Sequence, residues 1–359
     1  MLARKHLRMI KNYQPGKPIQ EVKRQLGLRQ VIKLASNESP FGVSSKLRRA
    51  IENSIADINR YPDASSFYLK RKLASLHKVR PENIILGNGS DELIVLALRA
   101  FCEPGDEVIV GYPTFLIYEI QAKACGLSLV KSRLKDFRYD LGDIKKKITH
   151  KTKIIFIANP DNPNGTYLSA KEITAFVRSI PKNVIVFLDE AYFEFAPKDF
   201  PKSISFVRSG RNVIFTRTFS KAYSLAGLRI GYAIARTEII QAFDKVREPF
   251  NVNLLAQAAA LAALGDSGSM RTFVRFVDKE KKYLYRQLDA LGLSYVRSVT
   301  NFVLIDLKKK RSRRVFKALL KKGVIVRDMS AWGLKNFIRV TIGKQSENRT
   351  FIKSLKAVL

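Results

Sequence analysis

Val184-Ile185-Val186-Phe187-Leu188-Asp189-Glu190-Ala191-Tyr192 is the stretch that decides the fold. Its apolar residues, β-branched at the start, run without polar alternation and stop at two carboxylates. A strand with one wet face alternates, whereas an unbroken run of this length belongs to a strand covered on both faces. Such strands sit in parallel sheets sandwiched between helices. The pattern recurs at Asn83–Leu86, Glu107–Gly111, Ser128–Lys131, Lys153–Ala158, Val213–Thr216 and Arg229–Ala235. Helical periodicity lies between, at Asp91–Phe101, Phe115–Cys125, Ala170–Ile180 and from Leu225 onward. The fold class read from this is α/β: a large unit whose mostly parallel sheet is sandwiched by helices.

After Glu248-Pro249 the pattern changes. Helices are predicted over Asn253–Leu264, Met270–Leu291, Arg313–Lys322 and Ser346–Leu359. Strands at Asn301–Leu307, Val324–Arg327 and Phe337–Ile342 mix with them, which reads as a smaller α+β unit. Residues 1–40 carry too few apolar positions to stand alone and are expected to dock on that unit. The domain reading is therefore 1–40, 41–248 and 249–359.

The chain has 359 residues, 46% of them hydrophobic, which suits a folded protein with more than one core and excludes a disordered one. No apolar run approaches the roughly 20 residues of a membrane helix. Met1 to Gly16 is basic but has no apolar stretch of the secretory kind. Cys102 and Cys125 lack metal or redox spacing, and His6, His77 and His150 lack ligand spacing, so no metal is expected. A reducing cytoplasm is the expected location. The 65 basic and 31 acidic residues leave a net charge of +34. The basic residues are spread along the chain, and the run Lys308-Lys309-Lys310-Arg311 reads as a solvated helix start. Nucleic-acid binding as the main function is therefore disfavoured. A positive field that draws in anionic small molecules is the milder consequence.

Open α/β sheets hold ligands at the carboxyl ends of their strands. After Leu86 comes Gly87-Asn88-Gly89-Ser90-Asp91, a plain helix start or a phosphate cradle of backbone N–H groups. After Val110 comes Gly111-Tyr112-Pro113, where Tyr112 is a loop residue or a ring that stacks on a planar ligand. After Ala158 comes Asn159-Pro160-Asp161-Asn162-Pro163-Asn164-Gly165, a turn in any case. Asn162 there is placed to donate to a ring oxygen. Asp189 closes an apolar strand, where a carboxylate is costly unless partnered. It reads as a cap, a Mg²⁺ ligand or the partner of a pyridinium N–H, with Tyr192 three residues on. After Thr216 comes Thr218-Phe219-Ser220-Lys221, with Arg229 eight residues beyond the lysine. A lysine for a Schiff base, hydroxyls and a guanidinium for a phosphate together suit pyridoxal phosphate.

With these residues in view, the chain resembles fold-type I pyridoxal-phosphate enzymes of the aminotransferase class I/II group, and within it the histidinol-phosphate aminotransferase family. The resemblance runs nearly end to end. It includes Tyr13-Gln14-Pro15-Gly16-Lys17-Pro18, Leu34-Ala35-Ser36-Asn37-Glu38, Arg60-Tyr61-Pro62-Asp63, Gly323-Val324-Ile325-Val326-Arg327 and Phe337-Ile338-Arg339-Val340. It implies that Lys221 is the Schiff-base lysine and that Asp189 pairs with the ring nitrogen. Asn162 and Tyr192 would contact the phenolic oxygen, and Tyr112 would stack on the ring. Gly89, Ser90, Thr218, Ser220 and Arg229 would bind the phosphate, joined by Tyr61 of a neighbouring subunit in a homodimer. Tyr13, Arg327 and Arg339 would line the substrate site; the plainer reading of the arginines is a surface salt bridge, which their strand-end positions disfavour. Asp161 and Asn164 depart from the family pattern, which has Asn and Thr there, and Ser39 stands where Asn is common.

The activity this implies is transfer of the amino group of L-histidinol phosphate to 2-oxoglutarate, giving imidazole acetol phosphate and L-glutamate in histidine biosynthesis. Burial and the nearby Arg229 would lower the Lys221 pKa. Rivals sharing the cofactor residues are an aromatic amino acid aminotransferase and a decarboxylase of a phosphorylated amino acid.

Overall fold

The computed structural model describes residues 2–359. Its strands in chain order are β1 (Ile32–Lys33), β2 (Ile84–Gly87), β3 (Glu107–Tyr112), β4 (Ser128–Lys135), β5 (Arg138–Tyr139), β6 (Thr152–Ala158) and β7 (Ile185–Asp189), followed by β8 (Val213–Thr218) and β9 (Gly231–Ile234). A second group is β10 (Ser294–Val296), β11 (Phe302–Asp306), β12 (Val324–Ile325), β13 (Arg327–Asp328) and β14 (Phe337–Thr341).

The large sheet runs β2-β9-β8-β7-β6-β3-β4-β5. Its centre, β4-β3-β6-β7-β8, is parallel throughout, and β9 enters antiparallel between β8 and β2. Successive side chains of one strand feed opposite cores, as the pleat requires. Ile155, Ile157, Val186, Leu188 and Phe215 pack on one face, against the helices Ala170–Ser179 and Leu254–Leu264. Ile154, Phe156, Phe187 and Ile214 pack on the other, against Ser90–Phe101, Leu116–Ala124 and Thr237–Val246. Both faces are dry, so unbroken apolar runs were required.

The smaller sheet, β10-β11-β14-β13, is antiparallel. Its core joins Phe302, Val303, Ile305, Ile338 and Val340 to the helices Ser267–Ala290, Ser312–Lys321 and Gln345–Lys356. Tyr192 and Ala222, from the ends of the large-sheet strands, belong to this same core. The helix Leu254–Leu264 buries Ala256, Ala259, Ala260 and Ala263 in the core of the large sheet, although it follows residue 248.

The N-terminal segment is anchored by β1, which pairs in parallel with β12. Val22 packs on Ala35 and Ile325. The segment also touches the large unit, where His6 Nε2 lies 3.0 Å from the carbonyl oxygen of Ala124.

Two expected elements differ from the pattern. Val324–Arg327 is not one strand: Val324–Ile325 pairs with β1, while Arg327–Asp328 pairs with β14. Switching sheets within so few residues turns Arg327 inward, and it is 8% exposed. The helical pattern from Leu225 yields only a single 3-10 turn, Ala226–Leu228. Arg229 stops it by adopting a left-handed conformation at φ 54°.

Candidate active site

The carboxyl ends of β6, β7 and β8 open on a cavity of about 270 Å³ whose far wall comes from the N-terminal segment and the smaller sheet. Of the residues singled out by sequence, Tyr13, Ser90, Asn162, Asp189, Tyr192, Thr218, Ser220, Lys221, Arg229, Arg327 and Arg339 line it. Strand register brings the central ones together: Ala158, Asp189 and Thr216 are neighbours across β6, β7 and β8.

Lys221 Nζ donates to the Ser36 carbonyl oxygen at 3.2 Å. Burial lowers its pKa to about 8, and the positive charge of Arg339 acts in the same direction. Arg229, the neighbour expected from sequence, contributes less than Arg339. Asp189 is buried, and burial pushes its pKa up to about 6. Tyr118 Oη donates to its Oδ2 at 2.7 Å, and Thr216 Oγ1 and the Ala191 N–H approach Oδ1 at 3.4 and 3.2 Å. Among the described residues no cation pairs with it. A carboxylate so placed offers an acceptor into the cavity and lacks a counter-charge.

The anion cradle is built by backbone. Gly89 has φ +80°, and a Cβ there would lie 2.6 Å from Arg229 Nη2, so only glycine lets the guanidinium approach. The helix Ser90–Phe101 begins at this point and directs its N-terminus at the cavity. Thr218 Oγ1 accepts the Ser220 N–H at 3.1 Å, fixing the turn that carries Lys221. Arg229 Nη2 reaches Asp91 Oδ2 at 3.3 Å, across the mouth of the cradle.

On the opposite wall, Arg327 lies between two rings, 5.3 Å from the Tyr13 centroid and 5.0 Å from that of Trp332. Its Nη2 donates to the Gln14 carbonyl oxygen at 2.5 Å. Arg339 donates to Asn162 Oδ1 and to the Ala35 carbonyl oxygen, and its buried Nε has no partner. Neither arginine forms an ion pair among the described residues, so the salt-bridge reading does not hold.

Two expectations require correction or stand apart. Tyr112 does not line the cavity. Its ring lies beside Lys131 Nζ, 4.4 Å from the centroid, and its hydroxyl end lies against Gly333, while Phe115 is among the rings that line the cavity. Tyr61 is 81% exposed and stacks on Phe250 at 4.6 Å, outside its own chain's cavity.

Residues 29–355 match the family model described as aminotransferase class I and II. The chain belongs to that family. This aminotransferase is 45% identical to the histidinol-phosphate aminotransferase of Moorella thermoacetica, covering 99% of this chain and 93% of that one. It is 43% identical to the protein of the same name from Caldicellulosiruptor saccharolyticus, with all of both chains covered. Its fold superposes with a TM-score of 0.91 on the crystal structure of histidinol-phosphate aminotransferase from Sinorhizobium meliloti in complex with pyridoxal-5'-phosphate. That protein is 29% identical, with 100% of this chain and 98% of that chain covered.

The aminotransferase's own residues fit such a group. It has an unpaired buried carboxylate, a lysine with lowered pKa and a glycine cradle closed by a guanidinium, all on one cavity. Sequence reasoning missed Phe115, Ser36, Asn37 and Trp332, which also line it. Asn37 alone carried a usable signal, since asparagine tolerates positive φ and adopts φ 56° here.

Proposed function

We propose that this aminotransferase transfers the amino group of L-histidinol phosphate to 2-oxoglutarate, giving imidazole acetol phosphate and L-glutamate in histidine biosynthesis, with pyridoxal 5'-phosphate as cofactor. The observation that carries the reading is one cavity lined by Lys221, Asp189 and two buried arginines that have no carboxylate partner among the described residues. Full-length identity to histidinol-phosphate aminotransferases supports the choice of substrate.

Bound there, the cofactor supplies an aldehyde that captures amines reversibly and a ring that accepts electrons from the substrate carbon. Lys221 would hold the cofactor covalently through Nζ, and its amine, once free, would serve as the base and acid of the site. Its pKa of about 8 leaves a useful neutral fraction near neutral pH. Asp189, whose carboxylate pairs with no cation among the described residues, would keep the ring nitrogen protonated. Asn162 and Tyr192 would donate to the ring oxygen, and Phe115 would offer the ring an apolar wall. Gly89, Ser90, Thr218, Ser220 and Arg229 hold the phosphate.

Arg327, Arg339 and Tyr13 receive the anionic ends of the substrates. A guanidinium binds carboxylate or phosphate with the same planar fork, which lets one site serve both amino donor and acceptor. In this reading residues 41–248 hold the cofactor, while 249–359 and the 1–40 segment close over the substrate.

A homodimer is part of the proposal. Ile55, Ile58, Tyr61, Phe67, Tyr68, Phe250 and Leu261 are all exposed, and Tyr61 stacks on Phe250 at the surface. A second copy would cover these residues and bring Tyr61 to the phosphate of its neighbour. Among the described residues no helix is long and apolar enough to cross a membrane. A cytoplasmic location is part of the proposal.

Steady-state rates of glutamate formation from histidinol phosphate and 2-oxoglutarate test the reading. Double-reciprocal plots at several fixed acceptor concentrations should be parallel. No glutamate from histidinol phosphate, with turnover on phenylalanine, would favour the aromatic rival. Release of CO₂ from a phosphorylated amino acid would favour the decarboxylase.

A further inference from the structure

Tyr192 presents its hydroxyl at the cavity wall, and that hydroxyl meets the Nδ2 of Asn37 at 2.7 Å. An amide nitrogen only donates, so the phenolic oxygen accepts this bond and its own hydrogen is left to point elsewhere. Burial holds the phenol protonated, so the hydrogen is present.

The orientation of the amide is itself determined. Asn37 is 1% exposed, and its backbone N–H donates to Thr341 Oγ1 at 2.9 Å. The single hydrogen of Thr341 then goes to Asn37 Oδ1, at 3.2 Å. A flipped amide would donate to Thr341 Oγ1, which already accepts the backbone N–H, leaving the threonine hydrogen without its acceptor and turning the amide oxygen to Tyr192. Asn301 Nδ2 holds the Asn37 carbonyl oxygen at 2.9 Å, and the backbone is kept at φ 56°. A buried residue fixed at both backbone and side chain in a left-handed conformation is over-determined by its surroundings, as residues at functional sites often are.

We propose that Asn37 is a positioning residue: by donating to Tyr192 it turns the phenolic O–H into the cavity, toward the ring oxygen of the cofactor. The inference rests on the reading of the cavity as a pyridoxal-phosphate site. A hydrogen bond donated to that oxygen stabilises its negative charge. It thereby weakens the hold of the nearby nitrogen, the one joined to Lys221, on its proton. The other charged or titratable groups facing Tyr192 are Lys221, whose Nζ lies 5.9 Å from the ring centroid, Asp189, Arg339 and Tyr13. All of them are present in both backgrounds of the test that follows.

Asn37→Asp tests this, because it keeps the size and the tolerance of positive φ but replaces the donor by an acceptor. The phenolic hydrogen then turns to the new carboxylate. The readout is the absorbance of the bound cofactor in the holoenzyme, titrated with pH in the absence of substrate. The expected midpoint rises by about one unit. In the Tyr192→Phe background the same substitution should shift the midpoint clearly less, since no hydroxyl remains to be redirected. Equal shifts in the two backgrounds would show a bare charge effect and overturn the proposal, as would no shift at all. Asn37→Gly, which retains the backbone conformation, is expected to raise the midpoint less than Asn37→Asp, and an unchanged midpoint there would also overturn it. Absence of any pH-dependent cofactor band in the unaltered protein would instead sink the cofactor reading itself.

Discussion

Arg327 and Arg339 are registered partners across β13 and β14, two guanidinium-bearing residues side by side on adjacent strands. Both are at least nine-tenths buried, and neither has a carboxylate partner among the described residues. Like charges so placed repel. Burial lowers the Arg339 pKa to about 10, and Arg327 adds to the effect. A bound anion would relieve this repulsion, so the pair costs the protein stability in exchange for affinity. Arg327→Met should therefore raise the melting temperature of the apoprotein while increasing KM for both substrates by about tenfold to a hundredfold. Thermal melts of the apo form and steady-state kinetics check the two halves. A fall in both stability and affinity would show that Arg327 is a structural residue.

Lys221 titrates near 10.5 in an unfolded chain and near 8 in the folded apoprotein. Between those values the unfolded chain holds more protons, so stability rises with pH across the window and is lowest below it. Lys221→Met should stabilise the apoprotein at pH 7, and the advantage should vanish above about pH 10.5. Cofactor capture needs the neutral amine, so its rate should climb with pH and level off near 8. Stopped-flow absorbance after mixing apoprotein with pyridoxal phosphate measures it. A midpoint above 10 would mean that the lysine is not desolvated.

Asp161 and Asn164 are each other's partners. Asn164 donates to Asp161 Oδ2 through its side chain at 2.5 Å and its backbone N–H at 3.2 Å, while Thr114 Oγ1 donates to Oδ1 at 2.6 Å. A carboxylate that takes donors on both oxygens has no place for an amide NH₂. Asp161→Asn alone should destabilise by about 1–3 kcal/mol, as expected for mismatched buried donors. Adding Asn164→Thr should recover a substantial part, a coupling visible in a double-mutant cycle of urea melts. Additive losses would mean that the two departures from the family pattern are unrelated.

Mixing two inactive variants tests the shared site. Lys221→Ala leaves Tyr61 intact, and Tyr61→Ala leaves Lys221 intact. A mixed dimer has one site with both residues, so unfolding and refolding the two chains together should restore turnover absent from either alone. No recovery, with mixed dimers shown by mass, would place Tyr61 outside the neighbour's site.

Much of this architecture was legible because the strands of the large sheet are dry on both faces: Phe187 and Leu188 must both be apolar, so the run could not alternate. The strand ends were legible for a related reason, since Asp189 and Lys221 are polar where the sheet core stops. What the sequence concealed depends on direction rather than composition. Tyr112 ends β3 and Phe115 follows it, and only the turn between them decides which ring lines the cavity. Val324–Arg327 reads as a single strand because a change of sheets at Val326 alters no residue type. The role of Asn37 lies in a positive φ and in contacts to Thr341 and Asn301, far away in the chain. The helices Ile19–Leu26, Ser45–Ser54 and Phe67–His77 carry so many exposed charged and polar residues that their apolar stripes were too thin to read.

The central claim is amino transfer from histidinol phosphate through Lys221. The most direct measurement is a single half-reaction: holoenzyme mixed with histidinol phosphate alone, followed by the absorbance of the lysine-bound cofactor. The account predicts rapid loss of that band, stoichiometric release of imidazole acetol phosphate and return of the band when 2-oxoglutarate is added. It also predicts no such loss with Lys221→Ala. A band that histidinol phosphate leaves unchanged, while phenylalanine or a phosphorylated amino acid removes it, would contradict the account.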